Sequence, residues 1–223
     1  MKKVLFLSLT MLTAVFAFAQ SDKYVKAMEP YVAAVDTTKT SEALTDLANS
    51  FTRIADAEKT QWLPYYYAAL STVMSGFMLP RGDAAKTDPI ADKAEALLVK
   101  AEALNNTTTG DAKSKNASEI NIIKKMISNL RMVADPANRY QTYGAIGQEA
   151  LDKAKALNAE NPRVPMLEGQ DLFYTPEEFG GSKAKAKVLF EEAIKKFEAI
   201  KPASTIEPQW GLSQAKYFYS MSK

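Results

Sequence analysis

The sequence consists largely of segments, each roughly 12 to 20 residues long, that are rich in Ala, Lys, Glu and Leu. Those residues favour helix, and the alternation of period two that marks strands is rare. Clusters of proline, glycine and asparagine separate the segments. An all-α chain is therefore predicted, with helices over 22–35, 41–58, 62–78, 90–104, 118–133, 135–157, 161–174, 182–200 and 209–221. Loops are predicted at 79–89 and 105–115, and a single helical turn after Thr175.

The first nineteen residues have the pattern of a secretory signal peptide. Lys2 and Lys3 precede an apolar run from Val4 to Phe16, and a small-x-small cleavage site ends at Ala19. The run is too short to span a membrane, and no later stretch reaches the ~20 apolar residues that a span needs. We expect cleavage after Ala19, a single mature domain over 20–223, and a periplasmic or secreted location.

The chain contains no histidine and no cysteine. Their absence excludes thiolate chemistry, disulfides, a lipid-modified cysteine, Ser-His-Asp catalysis and zinc hydrolase sites of the common kind. Removal of the signal peptide leaves 26 basic residues against 26 acidic ones, since Lys2 and Lys3 go with it. A neutral chain of this kind does not favour nucleic acid binding. We expect no enzyme activity, no cofactor and no metal site.

One spacing recurs in the helical segments: a small residue, a large residue four positions later, and a small residue three positions after that. Small residues one turn apart let a neighbouring helix approach closely, and the large residue fills the space between them. The copies are Ala94–Leu98–Ala101, Gly147–Leu151–Ala154 and Ala186–Phe190–Ala193, with a weaker one at Ala48–Thr52–Ala55.

This spacing resembles the second-helix signature of tetratricopeptide repeats. Asn161-Pro162-Arg163 is similar to the turn between two repeats of that family, and Trp210-Gly211-Leu212 is similar to the start of a first helix. The intervals between copies are unequal, so the repeats would be divergent. The resemblance implies a right-handed solenoid of helical hairpins, with three to four repeats and a C-terminal helix. The stretch Phe179-Gly180-Gly181-Ser-Lys-Ala-Lys-Ala is also similar to secreted and periplasmic bacterial repeat proteins.

In the repeat family the first helix of each pair lines a concave groove that holds peptides or partner proteins. Aromatic residues and arginines are the side chains that binding hot spots favour. The candidate groove residues are Tyr66, Tyr67, Arg139, Tyr143, Phe173, Tyr174 and Tyr217. The alternative is that these aromatics pack between repeats, and that Arg139 and Arg163 tie turns to nearby carboxylates.

The leading functional hypothesis is a non-catalytic scaffold of the bacterial cell envelope that binds a protein or peptide. A second hypothesis is a small-ligand or glycan-binding protein that uses an aromatic groove. A third, a carboxylate hydrolase, has weak support because Glu177-Glu178 and Glu191-Glu192 are sequence neighbours that do not face each other on a helix. The sequence leaves the partner and the oligomeric state open.

Overall fold

The computed structural model describes residues 22–223, so the predicted signal peptide and its cleavage site lie outside the described residues. Within them the protein is all-helical, as predicted, and no strand is present. The α-helices are α1 (22–34), α2 (Ser41–Glu58), α3 (Trp62–Phe77), α4 (Ala84–Asn105), α5 (Gly110–Ala134), α6 (Pro136–Leu157), α7 (Arg163–Tyr174), α8 (Lys183–Ala199) and α9 (Leu212–Met221). A short 3₁₀ helix, Glu177–Phe179, provides the helical turn expected after Thr175.

Helices that follow each other in sequence generally pack against each other. Each helix from α2 to α6 packs against the next one, and so do α7, α8 and α9 in turn. By contrast, α6 and α7 touch only slightly. In addition, α3 packs against α5, which places α3 at the centre of the molecule. Its sequence explains this position, since nearly every residue from Pro64 to Gly76 is buried and no charged side chain interrupts the helix.

The loop predicted at 79–89 is too long, because α4 begins at Ala84 rather than at Ile90. The Asp83 side chain caps this helix by accepting a hydrogen bond from the backbone N–H of Lys86. Pro89 lies inside the first two turns. It removes one intrahelical hydrogen bond without ending the helix, whereas the prediction had placed it at the end of the loop before the helix.

The loop predicted at 105–115 is also too long, because α5 begins at Gly110. Its first two turns are polar and mostly solvent-exposed, so they carry no apolar periodicity that could mark them as helix. The Asn105 side chain donates to the carbonyl of Lys113 at 3.1 Å and fixes the connection. The last helix differs in the other direction, since α9 begins at Leu212 rather than at 209.

The small residues of the recurring spacing are buried at helix–helix contacts. Ala94, Ala101, Ala154, Ala186 and Ala193 have no exposed surface. The register that the spacing predicted is therefore the one that faces the protein interior. This agreement concerns individual helices and leaves the tetratricopeptide assignment of the whole stack as a hypothesis.

The buried side chains form two separate apolar clusters. The larger one extends from α1 through α7 to the segment before α9, and includes Tyr66, Tyr67 and Trp210. The smaller one consists of Ala186, Phe190 and Phe218, with Leu172, Phe173 and Tyr219 packed against it. The smaller cluster lies where α7, α8 and α9 meet, and it supports the surface described next.

Candidate ligand-binding surface

Six aromatic side chains form a continuous patch on α7, α8 and α9, which we call the aromatic surface. Its members are Phe173, Tyr174, Phe190, Tyr217, Phe218 and Tyr219. Phe218 is nearly buried at the centre, whereas Tyr174 and Tyr217 are 55% and 59% exposed. Solvent-exposed aromatic rings held on a buried aromatic base are uncommon where no binding function requires them.

Phe218 organises the aromatic surface. Its ring centroid lies 5.3 Å from that of Phe173, 5.6 Å from Tyr174 and 5.4 Å from Tyr217, each in an edge-to-face arrangement. Phe190 stacks on it with an interplanar angle of 17° and a centroid distance of 5.5 Å. These are the separations and angles at which aromatic pairs attract each other. The exposed rings are therefore held in place before any ligand arrives.

Three cations lie over rings of the aromatic surface. The guanidinium carbon of Arg81 is 5.1 Å from the centroid of Tyr174. Lys183 places its ammonium 5.5 Å from Phe173, and Lys187 places its own 5.1 Å from Tyr219. Within residues 22–223 none of the three cations forms an ion pair with a carboxylate. The surface thus combines exposed rings with three cations that no described carboxylate pairs directly, although Glu191 lies close enough to Lys187 for the two charges to attract.

The turn between α7 and α8 fixes the position of Lys183. A Cβ atom at Gly181 would lie 1.7 Å from the carbonyl oxygen of Thr175, so only glycine fits there. The backbone N–H of Ser182 donates to the carbonyl of Leu172 at 3.0 Å, which closes the turn. Ser182 then caps α8 by accepting from the backbone N–H of Lys185, as predicted.

A second group of polar side chains lies in the protein interior, and we call it the buried network. The Tyr66 hydroxyl donates to Glu119 at 2.7 Å and accepts from the indole N–H of Trp210 at 2.8 Å. Arg163 donates to the same carboxylate at 2.9 Å, and so does Asn161. Burial raises the pKa of Tyr66 well above its usual value, and the negative charge of Glu119 adds to the shift. The network joins α3, α5, the start of α7 and the segment before α9.

Arg139 and Tyr143 lie at a third location, on α6. Arg139 makes a two-point contact with Asp88 of α4 at 2.7 and 2.8 Å. Its guanidinium carbon is 5.9 Å from the ring of Tyr143. The hydrogen bond from Arg139 lowers the pKa of Asp88. This arginine ties two helices together, as Arg163 does, in agreement with the structural alternative considered for both.

The structure brings only three of the seven candidate groove residues together. Phe173, Tyr174 and Tyr217 share the aromatic surface. Tyr66 and Tyr67 are entirely buried, so neither faces an open groove, although Tyr67 lies at the base of the cavity described below. Whether any of the seven binds a ligand stays a prediction.

The candidate groove residues did not include the cations or three aromatic members of this surface, Phe190, Phe218 and Tyr219. Lys183 and Lys187 are four residues apart on α8, which places them on one helix face beside Phe190. That spacing was visible in the sequence. The position of Arg81 was not, because it depends on where the loop between α3 and α4 lies relative to Tyr174 and not on any local pattern.

A cavity of about 420 Å³ lies on another part of the molecule, between α1, α3 and the segment before α9. It is lined by Glu29, Val32, Ala33, Asp36, Tyr67, Thr205, Gln209 and Trp210. Its two ionisable groups at neutral pH are carboxylates, so its charge is opposite to that of the aromatic surface.

Among the described helices, none is both long and apolar enough to cross a membrane. Residues 22–223 also contain no group of three or more acidic side chains placed to hold a metal ion.

The fold and the aromatic surface define an all-helical protein that presents an ordered, cationic and aromatic face to solvent. No protein-family model matches the chain, and neither does any curated protein. Among solved structures, the chain is similar to the HusA haemophore from Porphyromonas gingivalis, with 34% sequence identity and a TM-score of 0.75. The similarity covers 90% of this chain and 92% of that one. At this identity and coverage, the chain belongs to the family of the HusA haemophore.

Proposed function

We propose that the protein binds haem, the ligand named in the word haemophore, on its aromatic surface. The observation that carries the proposal is the combination of exposed, preordered rings with three cations that lack carboxylate partners. Haem is a flat aromatic macrocycle with two propionate carboxylates. Rings such as Tyr174 and Tyr217 offer it stacking area, and Arg81, Lys183 and Lys187 offer charge-assisted hydrogen bonds to the propionates.

The macrocycle and its propionates, and not the iron, are the features that this surface can recognise. Histidine and cysteine, the commonest protein ligands of haem iron, do not occur in the chain. Tyrosine hydroxyls can ligate haem iron, and two are exposed on the surface, but stacking does not require them. Recognition through shape and charge accounts for the site without an iron ligand.

The acidic cavity is a poor alternative for the same ligand. Glu29 and Asp36 would repel the propionates, and no lysine or arginine lines the cavity. The charge pattern of the molecule therefore favours the aromatic surface for a dianion.

This proposal follows the small-ligand hypothesis, which the similarity to a haemophore supports better than the protein-binding scaffold. The expectation that the protein binds a ligand and does not catalyse a reaction also agrees with the similarity to a haemophore. We further propose that residues 20–223 form one tetratricopeptide-like helical solenoid, and that the signal peptide directs it to the periplasm or out of the cell. Consecutive packing of the helices supports the solenoid.

The test is a titration of the purified mature chain with haem, followed by the Soret absorbance. We expect a Tyr174→Ala/Tyr217→Ala variant to bind at least about tenfold more weakly, because two stacking partners are lost. Tyr140→Ala is the matched control, since Tyr140 is 58% exposed but lies on α6 outside the aromatic surface. Equal affinity of the double variant and the wild type would contradict the proposal.

A second pair of variants tests the role of charge. Lys183→Gln/Lys187→Gln should weaken haem binding, and the loss should shrink as salt screens the attraction. Lys185→Gln is the control, because Lys185 is exposed on the same helix without contacting a ring of the surface.

A Tyr174→Phe variant should retain affinity, because it keeps the ring and removes only the hydroxyl. Loss of binding in Tyr174→Phe would show that the iron is ligated there.

A further inference from the structure

On the α1 side of the acidic cavity, two apolar residues lie between two acidic residues. Glu29, Val32, Ala33 and Asp36 follow at intervals of three, one and three residues, which places them along one side of the helix and the turn after it. The order is acid, apolar, apolar, acid. With a rise of 1.5 Å per residue, the two acidic positions are about 10 Å apart along the helix axis.

Neither carboxylate has a charged partner. Glu29 accepts one hydrogen bond, from the Thr205 hydroxyl at 2.7 Å. Asp36 accepts from the backbone N–H of Gly211 at 3.1 Å and from the Ser213 hydroxyl at 3.2 Å. Lys39 donates to the backbone carbonyl of Asp36, not to its carboxylate. Neutral donors position both groups, and within residues 22–223 no ammonium or guanidinium lies within ion-pair distance of either.

The floor of the cavity is aromatic. Tyr67 is entirely buried and donates its hydroxyl proton to the carbonyl of Ile206 at 3.0 Å. The indole N–H of Trp210 donates to the Tyr66 hydroxyl. The guanidinium carbon of Arg163 lies 4.5 Å from the centroid of the Trp210 ring. The charge of that guanidinium is neutralised by Glu119. Both ring systems are therefore fixed, and they form an apolar floor between the two acidic groups.

We propose that this cavity binds a linear aliphatic diamine, with one ammonium at Glu29, the other at Asp36, and the methylene chain against Val32, Ala33 and the aromatic floor. Two cationic ends separated by an apolar chain match the acid–apolar–acid order of the lining. A volume of about 420 Å³ lies within the range of small-molecule sites. The site is separate from the aromatic surface and carries the opposite charge.

The probes are cadaverine, a diamine with five methylenes, and pentylamine, which has the same chain and a single ammonium. Isothermal titration calorimetry of the mature protein should show cadaverine binding at least about tenfold more tightly than pentylamine, since a second charge-assisted hydrogen bond forms. Glu29→Gln should abolish this preference. Glu42→Gln, at an acidic position in the first turn of α2, is the matched control.

An Ala33→Phe variant provides a second measurement that leaves both carboxylates in place. Ala33 lines the cavity and is exposed, so the larger side chain should fill the site without disturbing the core. It should abolish cadaverine binding, whereas Tyr174→Ala/Tyr217→Ala should preserve it. The proposal is overturned by undetectable cadaverine binding, by equal binding of the two amines, or by Ala33→Phe and Glu29→Gln variants that bind as the wild type does.

Discussion

Tyr66 illustrates how one hydroxyl can hold together elements that are distant in sequence. It donates to Glu119 on α5 and accepts from Trp210, which is 144 positions further along the chain. No part of its side chain reaches solvent, so water cannot replace either partner. Glu119 in turn accepts from Arg163, and removal of the Tyr66 hydroxyl would leave both the indole N–H of Trp210 and one oxygen of Glu119 without a partner.

We expect Tyr66→Phe to lower the free energy of unfolding by about 2–4 kcal/mol, because it orphans one oxygen of Glu119 and the indole N–H of Trp210. Tyr24→Phe is the matched control. The Tyr24 hydroxyl is buried and has no hydrogen-bond partner within residues 22–223, so its removal should leave stability unchanged or raise it. Urea unfolding measures both variants, and similar destabilisation by the two would contradict the hydrogen-bond assignment.

At the scale of helices, two glycines differ in the space around them, so replacing them with alanine should change stability in opposite directions. A Cβ atom at Gly169 of α7 would lie 2.8 Å from the ring of Phe190 on α8. At Gly144 of α6 the nearest atom is 3.9 Å away, on Tyr140. The first glycine allows α7 to approach α8 closely beneath the aromatic surface. The second lies inside a helix without such a contact.

Gly169→Ala should therefore destabilise the protein by about 1–3 kcal/mol through overpacking. Gly144→Ala should stabilise it by about 0.5–1 kcal/mol, because alanine loses less conformational freedom in a helix. Thermal unfolding should show melting temperatures that move in opposite directions. Shifts of the same sign would mean that the α7–α8 contact is looser than described.

Helical segments that have one buried face were predicted well from the sequence, and the first turns that lack such a face were not. In α2 the buried residues recur at helical spacing, and its predicted bounds, 41–58, match the structure. The first turns of α4 and α5 are polar or contain Pro89, and their existence depends on tertiary context. The aromatic surface was predicted in part, since aromatics are visible in sequence but the approach of Arg81 to Tyr174 depends on packing.

At the scale of the whole molecule, buried tyrosines determine the response to alkali. Burial is the largest cause of the raised pKa of Tyr24, Tyr66 and Tyr67. In the unfolded chain each hydroxyl ionises near pH 10, whereas in the folded protein it stays protonated. Their contribution to stability is thus complete below pH 10 and is lost progressively as the pH rises above it.

Above pH 10 the free energy of unfolding should fall by about 1.4 kcal/mol per pH unit for each of these tyrosines. Denaturant midpoints measured between pH 8 and 11.5 would show the loss as a downward bend. Absorbance at 295 nm should report the tyrosinate of these three residues only as the protein unfolds, as an increase beyond that of the solvent-exposed tyrosines. Ionisation of these hydroxyls without loss of helix would contradict their burial.

The contact between α3 and the segment before α9 also governs when the protein can finish folding during synthesis. Tyr67 donates to the carbonyl of Ile206, and Tyr66 accepts from the indole N–H of Trp210. The ribosome therefore synthesises α3 more than a hundred residues before these partners. Until residue 210 has been made, the hydroxyls of Tyr66 and Tyr67 lack these partners, and the nascent chain cannot complete its native core.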